Sequence, residues 1–365
     1  MPISPKNQLI GLDIGSHSIK MVEIDDSKKG RVLKNFGIIE LPPDAIVEGA
    51  FKEIENIGQT IGKLIKNLKI KNRNIATSIS GFSVIVKKIT IANKGASELE
   101  STIQDEAEQY IPFDISEVNL DYDILSAGHE TSPSQMDEEK DGSSADKNMD
   151  IILVAAKKDV IDEYITLSQV AGLSPMVLDV DAFALQNAFE AGNHEEEGCY
   201  AIVNIGAEEL GINAIKNGIS LFARDSSFGG FQITEAIMSE FDISYKEAER
   251  LKLGGIELSN KKKAVEKIFT TVVSEWVLEI KRALDFVMSN YVEENITKIF
   301  ISGGASKLPG FKEYLQLETE IPVEELNPFE NLIIDEKHID PKYLKEMAHQ
   351  AGVAVGLALR SIGDK

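Results

Sequence analysis

The chain has 365 residues, 43% of them apolar, enough for two domains with a sizeable core. Its 38 basic and 60 acidic residues give a net charge of −22, which leaves no cationic excess for sequence-independent nucleic-acid binding or for direct attraction to an anionic bilayer. No apolar run approaches the roughly 20 residues of a membrane-spanning helix. The amino terminus MPISPKNQLIG has no basic patch followed by an apolar segment, so a cytoplasmic protein is expected. The lone cysteine, Cys199, cannot form an intramolecular disulfide and reads as part of a buried strand.

In chain order, β-rich runs near 8–14, 18–25 and 31–39 predict a meander. A helix near 52–67 follows, with Ile54, Ile57, Ile61 and Ile65 recurring every three or four residues. Strands near 74–79 and 84–91, an acidic helix SELESTIQDEAEQY and a strand near 118–125 come next. Residues 126–150 hold almost nothing apolar and read as a flexible surface insertion between two strands. From 151 the pattern alternates again, with the strand IILVAA, a helix near 158–171, a strand near 174–180 and a helix near 182–190.

The second half predicts strands near 199–205, 210–216 and 219–226, then helices near 230–240 and 244–252. A long helix near 262–289 aligns Ala264, Ile268, Val272, Trp276, Ile280 and Leu284 on one stripe, which is a core face. The strand KIFISGG, a helix after Pro309, a short β segment and a helix near 341–360 complete the chain.

LDIGSHSIKMVEI at 12–24 and VNIGAEELGINAI at 203–215 align as an apolar residue, Asp or Asn, Ile, Gly and a small residue, then a second strand. Two halves built alike predict two α/β lobes facing each other across a cleft. In the first turn Gly15 lets backbone N–H groups approach a phosphate. Ser16, Ser18 and Lys20 add donors and charge, and Asp13 can hold Mg2+ through water. Gly206 and Ala207 would meet the same phosphates from the other side. The pair Gly303 and Gly304 would let a flat ring lie against the backbone.

The order D-x-G-S-x-S-x-K, x-I-G-A and S-G-G-A-S-x-L-P-G resembles the two phosphate motifs and the adenosine motif of the actin and sugar-kinase superfamily. Within it, SGFSVIVKKI, EAEQYIPFDISEVNLDY, LDVDAFALQNAFE and NIGAEELGINAIKNG resemble the PilM family of actin-like type IV pilus assembly proteins, related to the cell-division protein FtsA. The resemblance covers nearly the whole chain except the polar stretch 126–150. It implies a two-lobed actin-like ATPase fold with an FtsA-type inserted subdomain.

The expected boundaries are 1–79 for the first-lobe core, 80–176 for the insertion, 177–198 for a connecting helix, 199–340 for the second lobe and 341–365 for a second connecting helix. The resemblance places Asp13, Gly15, Ser16, Ser18 and Lys20 in the first phosphate loop, and Gly206 and Ala207 in the second. Gly303, Gly304 and Ser306 fall in the adenosine motif. Glu249 and Lys252 match an A-E-x-L-K pattern that reaches the nucleoside, against the alternative of a solvated helix face.

The implied ligands are ATP and Mg2+. The implied partner is the cytoplasmic amino-terminal segment of a PilN-like inner-membrane protein, docked on the inserted subdomain. Asn204 stands where the family usually has Asp; a neutral amide can hold a metal-bound water but cannot accept its proton, so at most slow ATP hydrolysis is expected. The carboxyl-terminal LALRSIGDK has neither an apolar face nor a basic cluster, unlike FtsA, so a partner is expected to recruit the protein peripherally to the inner membrane.

The other readings are a small-molecule kinase, for which Asp181 is the one evident base and looks more like a helix start, and an actin-like filament. No P-loop, zincin motif or cysteine pair is present, and His17, His129, His194, His338 and His349 lack ligand spacing. His17 is expected on the loop surface.

Overall fold

The computed structural model describes residues 8–93, 96–127, 148–192, 198–254, 261–291 and 295–364. The chain opens with an antiparallel meander of β1 (Ile10–Ile14), β2 (Ser18–Ser27) and β3 (Gly30–Glu40). A two-residue-per-strand hairpin, β4 (Ile46–Val47) and β5 (Ala50–Phe51), leads into α1 (Ile54–Leu68). Buried Ile57, Ile61, Leu64 and Ile65 form one face of α1, and Lys69, with φ of 56°, ends it in a left-handed cap. β6 (Asn74–Ile79) then pairs parallel to β1.

A three-stranded antiparallel sheet follows. It is made of β7 (Val84–Ala92), β8 (Val118–Ala127) and β9 (Asn148–Lys157) in the order β7-β9-β8, with α2 (Ala96–Ala107) packed on one face. α3 (Lys158–Val170) returns to pack on α1, and β10 (Ser174–Val180) pairs parallel to β6. α4 (Asp181–Ala191) crosses to the second half.

There β11 (Cys199–Ile205), β12 (Leu210–Lys216) and β13 (Ile219–Ser226) repeat the meander. β11 is buried along nearly its whole length, Cys199 included, as a central strand covered on both faces must be. Helices α5 (Gly230–Phe241), α6 (Tyr245–Lys252) and α7 (Lys262–Asn290) follow. Ser244 and Glu247 cap α6 reciprocally. Then come β14 (Ile296–Ser302), α8 (Phe311–Thr319), β15 (Val323–Glu325), β16 (Ile333–Ile334) and α9 (Pro341–Ala358), the last started by Asp340 and Pro341.

The two sheets are twins. The first runs β10-β6-β1-β2-β3, extended by β16, and the second runs β15-β14-β11-β12-β13, each a meander widened by parallel strands on its first edge. This duplication is the one predicted from the repeated turn sequences.

Four features differ from the sequence reading. The β4-β5 hairpin is too short to show a period. β8 and β9 extend through Ala127 and from Asn148, because their mutual pairing sustains strand beyond the apolar pattern; residues 128–147 of the predicted insertion lie outside the described residues. The three-stranded sheet occupies only 84–157 of the expected 80–176, since α3 and β10 belong with α1 and β6. β16 pairs with β3 through Ile333 and Val32, so the chain re-enters the first sheet before the expected boundary at 340.

α4 and α9 cross between the sheets. A Cβ on Gly356 would lie 1.6 Å from the Ala184 carbonyl oxygen, and one on Gly11 would lie 2.0 Å from that of Ala354, so helix meets helix and helix meets β1 at backbone contact. Around this crossing Leu9 and Ala76 of the first half share a core with Tyr200, Ile202 and Phe300 of the second, and the Phe189 ring lies 4.6 Å from that of Tyr200 and 4.7 Å from that of Phe300. Gly356→Val is therefore expected to cost at least about 3 kcal/mol by overpacking. Gly62→Ala in α1, where a Cβ meets nothing within 4 Å, should instead stabilise by about 0.5 to 1 kcal/mol. Urea unfolding of the two variants checks this: a Gly356→Val midpoint equal to that of the parent would refute the contact.

Candidate functional site

Three turns converge on one cleft of about 1680 Å³. In the first, the Gly15 N–H donates to the Ser18 carbonyl at 3.2 Å, and Lys20, opposite Asp13 in the β1-β2 register, pairs with its carboxylate at 3.3 Å. In the second, the Gly206 N–H donates to the Glu209 carbonyl at 2.8 Å. The start of α5 braces that turn: the N–H groups of Gly230 and Phe231 donate to the carbonyls of Gly206 and Ala207 at 3.0 and 2.7 Å.

The third turn is pressed against β11. Gly303 has φ of 89°, and a Cβ there would lie 2.2 Å from the Ile205 carbonyl oxygen, so the position needs glycine for both conformation and space. Its N–H donates to the His349 carbonyl of α9 at 2.6 Å. The second and third turns thus meet at backbone contact, and α9 holds the third.

Asp13, Gly15, Ser16, Ser18, Lys20, Asn204, Gly206, Ala207, Glu249, Lys252, Gly303 and Gly304 all border this cleft. Ser306 does not. It is buried in the helical turn Gly304–Lys307, and its hydroxyl donates to the Gly303 carbonyl at 2.8 Å, so it holds the turn's shape rather than facing the cleft. His17, expected on the loop surface, is half-buried on the cleft wall, and desolvation holds its imidazole below the ordinary histidine range.

Glu249 and Lys252 are not on a solvated face. Their side chains are 13% and 12% exposed and pair at 2.6 Å. The Thr234 hydroxyl donates to the Glu249 carboxylate, while the Lys252 ammonium also donates to Thr234 Oγ1 at 2.9 Å and to the Gly230 carbonyl at 3.3 Å. The pair locks α6 onto the first turn of α5 at the cleft wall.

The cleft floor is acidic. Asp181 begins α4, as the sequence suggests, but its half-buried carboxyl accepts the Ser78 hydroxyl and is pushed up to about 8, chiefly by desolvation and then by the charge of Asp13. Glu209 is pushed up to about 7 by burial and by Asp225, against the hydrogen bond from Ser80. Burial also raises Asp225, which accepts the Gly81 N–H at 2.8 Å, and raises Asp13 against the pull of Lys20.

Sequence reasoning missed Glu209 and Asp225. Glu209 was legible as the closing residue of the x-I-G-A turn. Asp225 was not: it reaches the cleft only because β13 pairs it with Gly211 of β12. No group of three or more His, Cys, Asp or Glu among the described residues is arranged to hold a metal ion by protein ligands alone.

Twin sheets, two crossing helices between them and a cleft walled by one turn from each meander define a two-lobed actin-like fold. Ethanolamine utilization protein EutJ from Carboxydothermus hydrogenoformans is similar in fold, with 15% identity over 98% of this chain and 91% of that one and a TM-score of 0.57. Residues 11–362 match the type IV pilus assembly protein PilM family, and the chain belongs to it. It is likewise similar to a chain of a solved PilM-PilN type IV pilus biogenesis complex, with 28% identity, 99% and 100% coverage of the two chains and a TM-score of 0.82.

The buried acids set a pH dependence. Asp181 and Glu209 keep their protons in the fold to about 8 and about 7, whereas in the unfolded chain they ionise near the ordinary carboxyl values of about 4. Between those limits the folded state binds more protons than the unfolded one, so stability falls as pH rises. The thermal midpoint of the nucleotide-free protein should drop from about pH 5 to about pH 8, and Asp181→Asn should make the drop shallower. An Asp181→Asn profile parallel to the parent's would contradict this account.

Proposed function

We propose that this protein is an ATP-binding adaptor of the type IV pilus assembly machinery that grips the cytoplasmic amino-terminal segment of a PilN-like inner-membrane protein in a nucleotide-dependent way, with slow hydrolysis at most. The observation that carries the reading is the meeting of the three turns at Gly15, Gly206 and Gly303 on one cleft. Backbone N–H groups there, with Ser16, Ser18 and Lys20, suit an anionic polyphosphate. Gly303 and Gly304, the buried Glu249-Lys252 pair and Leu308 suit the nucleoside end.

Mg2+ fits as a shared ligand rather than a caged one. It usually takes one or two carboxylates, the substrate phosphates and several waters; Asp13 is the carboxylate at the first turn, and Asn204 offers a neutral oxygen at the second. When bound, the metal would neutralise phosphate charge. Asn204 has no carboxylate with which to take a proton from water, which supports slow turnover.

The kinase alternative needs an ionised base between the lobes. Asp181 has the position, but it begins α4 and its carboxyl is tied up by the Ser78 hydroxyl, and the family match favours the adaptor reading. No helix among the described residues is long and apolar enough to cross a membrane. In this reading the partner supplies contact with the inner membrane, and the solved PilM-PilN complex supports the kind of partner.

Calorimetric titration with ATP and Mg2+, with and without a peptide carrying the cytoplasmic amino terminus of a PilN-like protein, tests the reading. Saturable ATP binding that is lost in Asp13→Ala and that strengthens the peptide is expected; identical peptide affinity with ATP, with ADP and in Asp13→Ala would sink the coupling. In addition, Asn204→Asp should raise Mg2+-dependent phosphate release by roughly 10-fold or more, in line with the contribution of a proton acceptor. An unchanged rate in that variant would show that the amide does not limit turnover.

A further inference from the structure

Glu209 is used twice. Its carbonyl closes the Gly206 turn, and its carboxylate accepts the Ser80 hydroxyl at 2.6 Å from the other lobe. One residue on, the Gly81 N–H donates to Asp225 at 2.8 Å. Ser80 and Gly81 are not an arbitrary point of the first lobe. They form the root of the three-stranded sheet, where the chain leaves β6 through the short turn Gly81–Ser83 and enters β7 directly.

Gly81 has φ of 78°, and a Cβ there would lie 2.5 Å from Glu209 Oε1, so the turn lies directly against that carboxylate. A second tie lies further along the same strand. Lys88 of β7 pairs with Asp150 at 2.9 Å and sits 5.8 Å from the centroid of the Tyr291 ring, whose hydroxyl donates to the Leu221 carbonyl of β13 at 2.8 Å. The three-stranded sheet thus hangs on the second lobe through β7, with the Gly206 turn at one end of the linkage.

We propose that Glu209 and Asp225 are positioning residues that couple the Gly206-Ala207 turn to β7, so that occupancy of the cleft by a nucleoside triphosphate shifts the three-stranded sheet. The proposal rests on the reading of the cleft as a nucleotide site. A phosphate that draws in the backbone of the Gly206 turn moves Glu209, whose carbonyl is part of that turn. Ser80 and Gly81 follow the two carboxylates, and β7 follows Gly81. Coupling of this kind is a free energy shared between two sites, and removing the linking contacts should remove it without removing either site.

The test is hydrogen-deuterium exchange of the full chain with and without Mg2+ and ATP, read over residues 84–92, the span of β7, alongside ATP affinity from fluorescence titration. In the parent protein ATP should change deuterium uptake in β7. In Ser80→Ala, ATP affinity should stay within about threefold of the parent, and at saturating ATP the ATP-dependent change in β7 should fall to less than roughly half in both Ser80→Ala and Asp225→Ala. Ser80→Thr, which keeps the hydroxyl, should restore it, an outcome that a general loosening of the fold would not give. A β7 response undiminished in both variants, or ATP binding to the parent with no response in β7, overturns the coupling alone. No saturable ATP binding by the parent overturns the nucleotide reading and the coupling with it.

Discussion

The contact on which the arrangement depends is the crossing of α4 and α9 at Gly356. Without a side chain there, α9 lies against the Ala184 carbonyl, and at Gly11 the first sheet lies against α9 in the same way. Backbone packed on backbone leaves little freedom for sliding, because protein interiors respond to displacement by losing contacts rather than by deforming. Two consequences reach the cleft. The carbonyl of His349 on α9 holds Gly303, and the first residue of α4, Asp181, is set into the cleft floor.

Charge is distributed unevenly around that cleft. The first turn carries an ion pair, Asp13 with Lys20, whereas the second places the neutral Asn204 at the cleft. Beneath them Asp181, Glu209 and Asp225 are desolvated, with Ser78, Ser80 and Gly81 as hydrogen-bond donors in place of cations. Desolvation without a cation favours the protonated acid; Glu209 and Asp225 join the lobes by accepting from Ser80 and Gly81, while Asp181 accepts from Ser78 within the first half.

The duplication was legible because its signal is local. Gly15 and Gly206 each follow a buried strand and precede another, and the strand-turn-strand pattern needs only neighbours in sequence to be read. The same holds for the long stripe on α7, where buried Val272, Trp276, Ile280 and Leu284 recur at helical spacing. The inward rotation of Ser306, the pairing of β16 with β3 and the burial of Glu249 with Lys252 had no such signal. Each is decided by a partner far away in sequence.

By itself the sequence determined the two meanders and the three glycine turns, since these follow from residue type and short-range periodicity. The tertiary structure alone decided which side chains share the cleft. Asp225 enters it through the β12-β13 register, Glu209 is desolvated by Ser80 and Gly81 of the opposite lobe, and Lys252 turns to Glu249 because α5 closes over both. Burial and hydrogen-bond partnership are properties of the packed chain, and the chemistry of an acid depends on them more than on its place in the sequence.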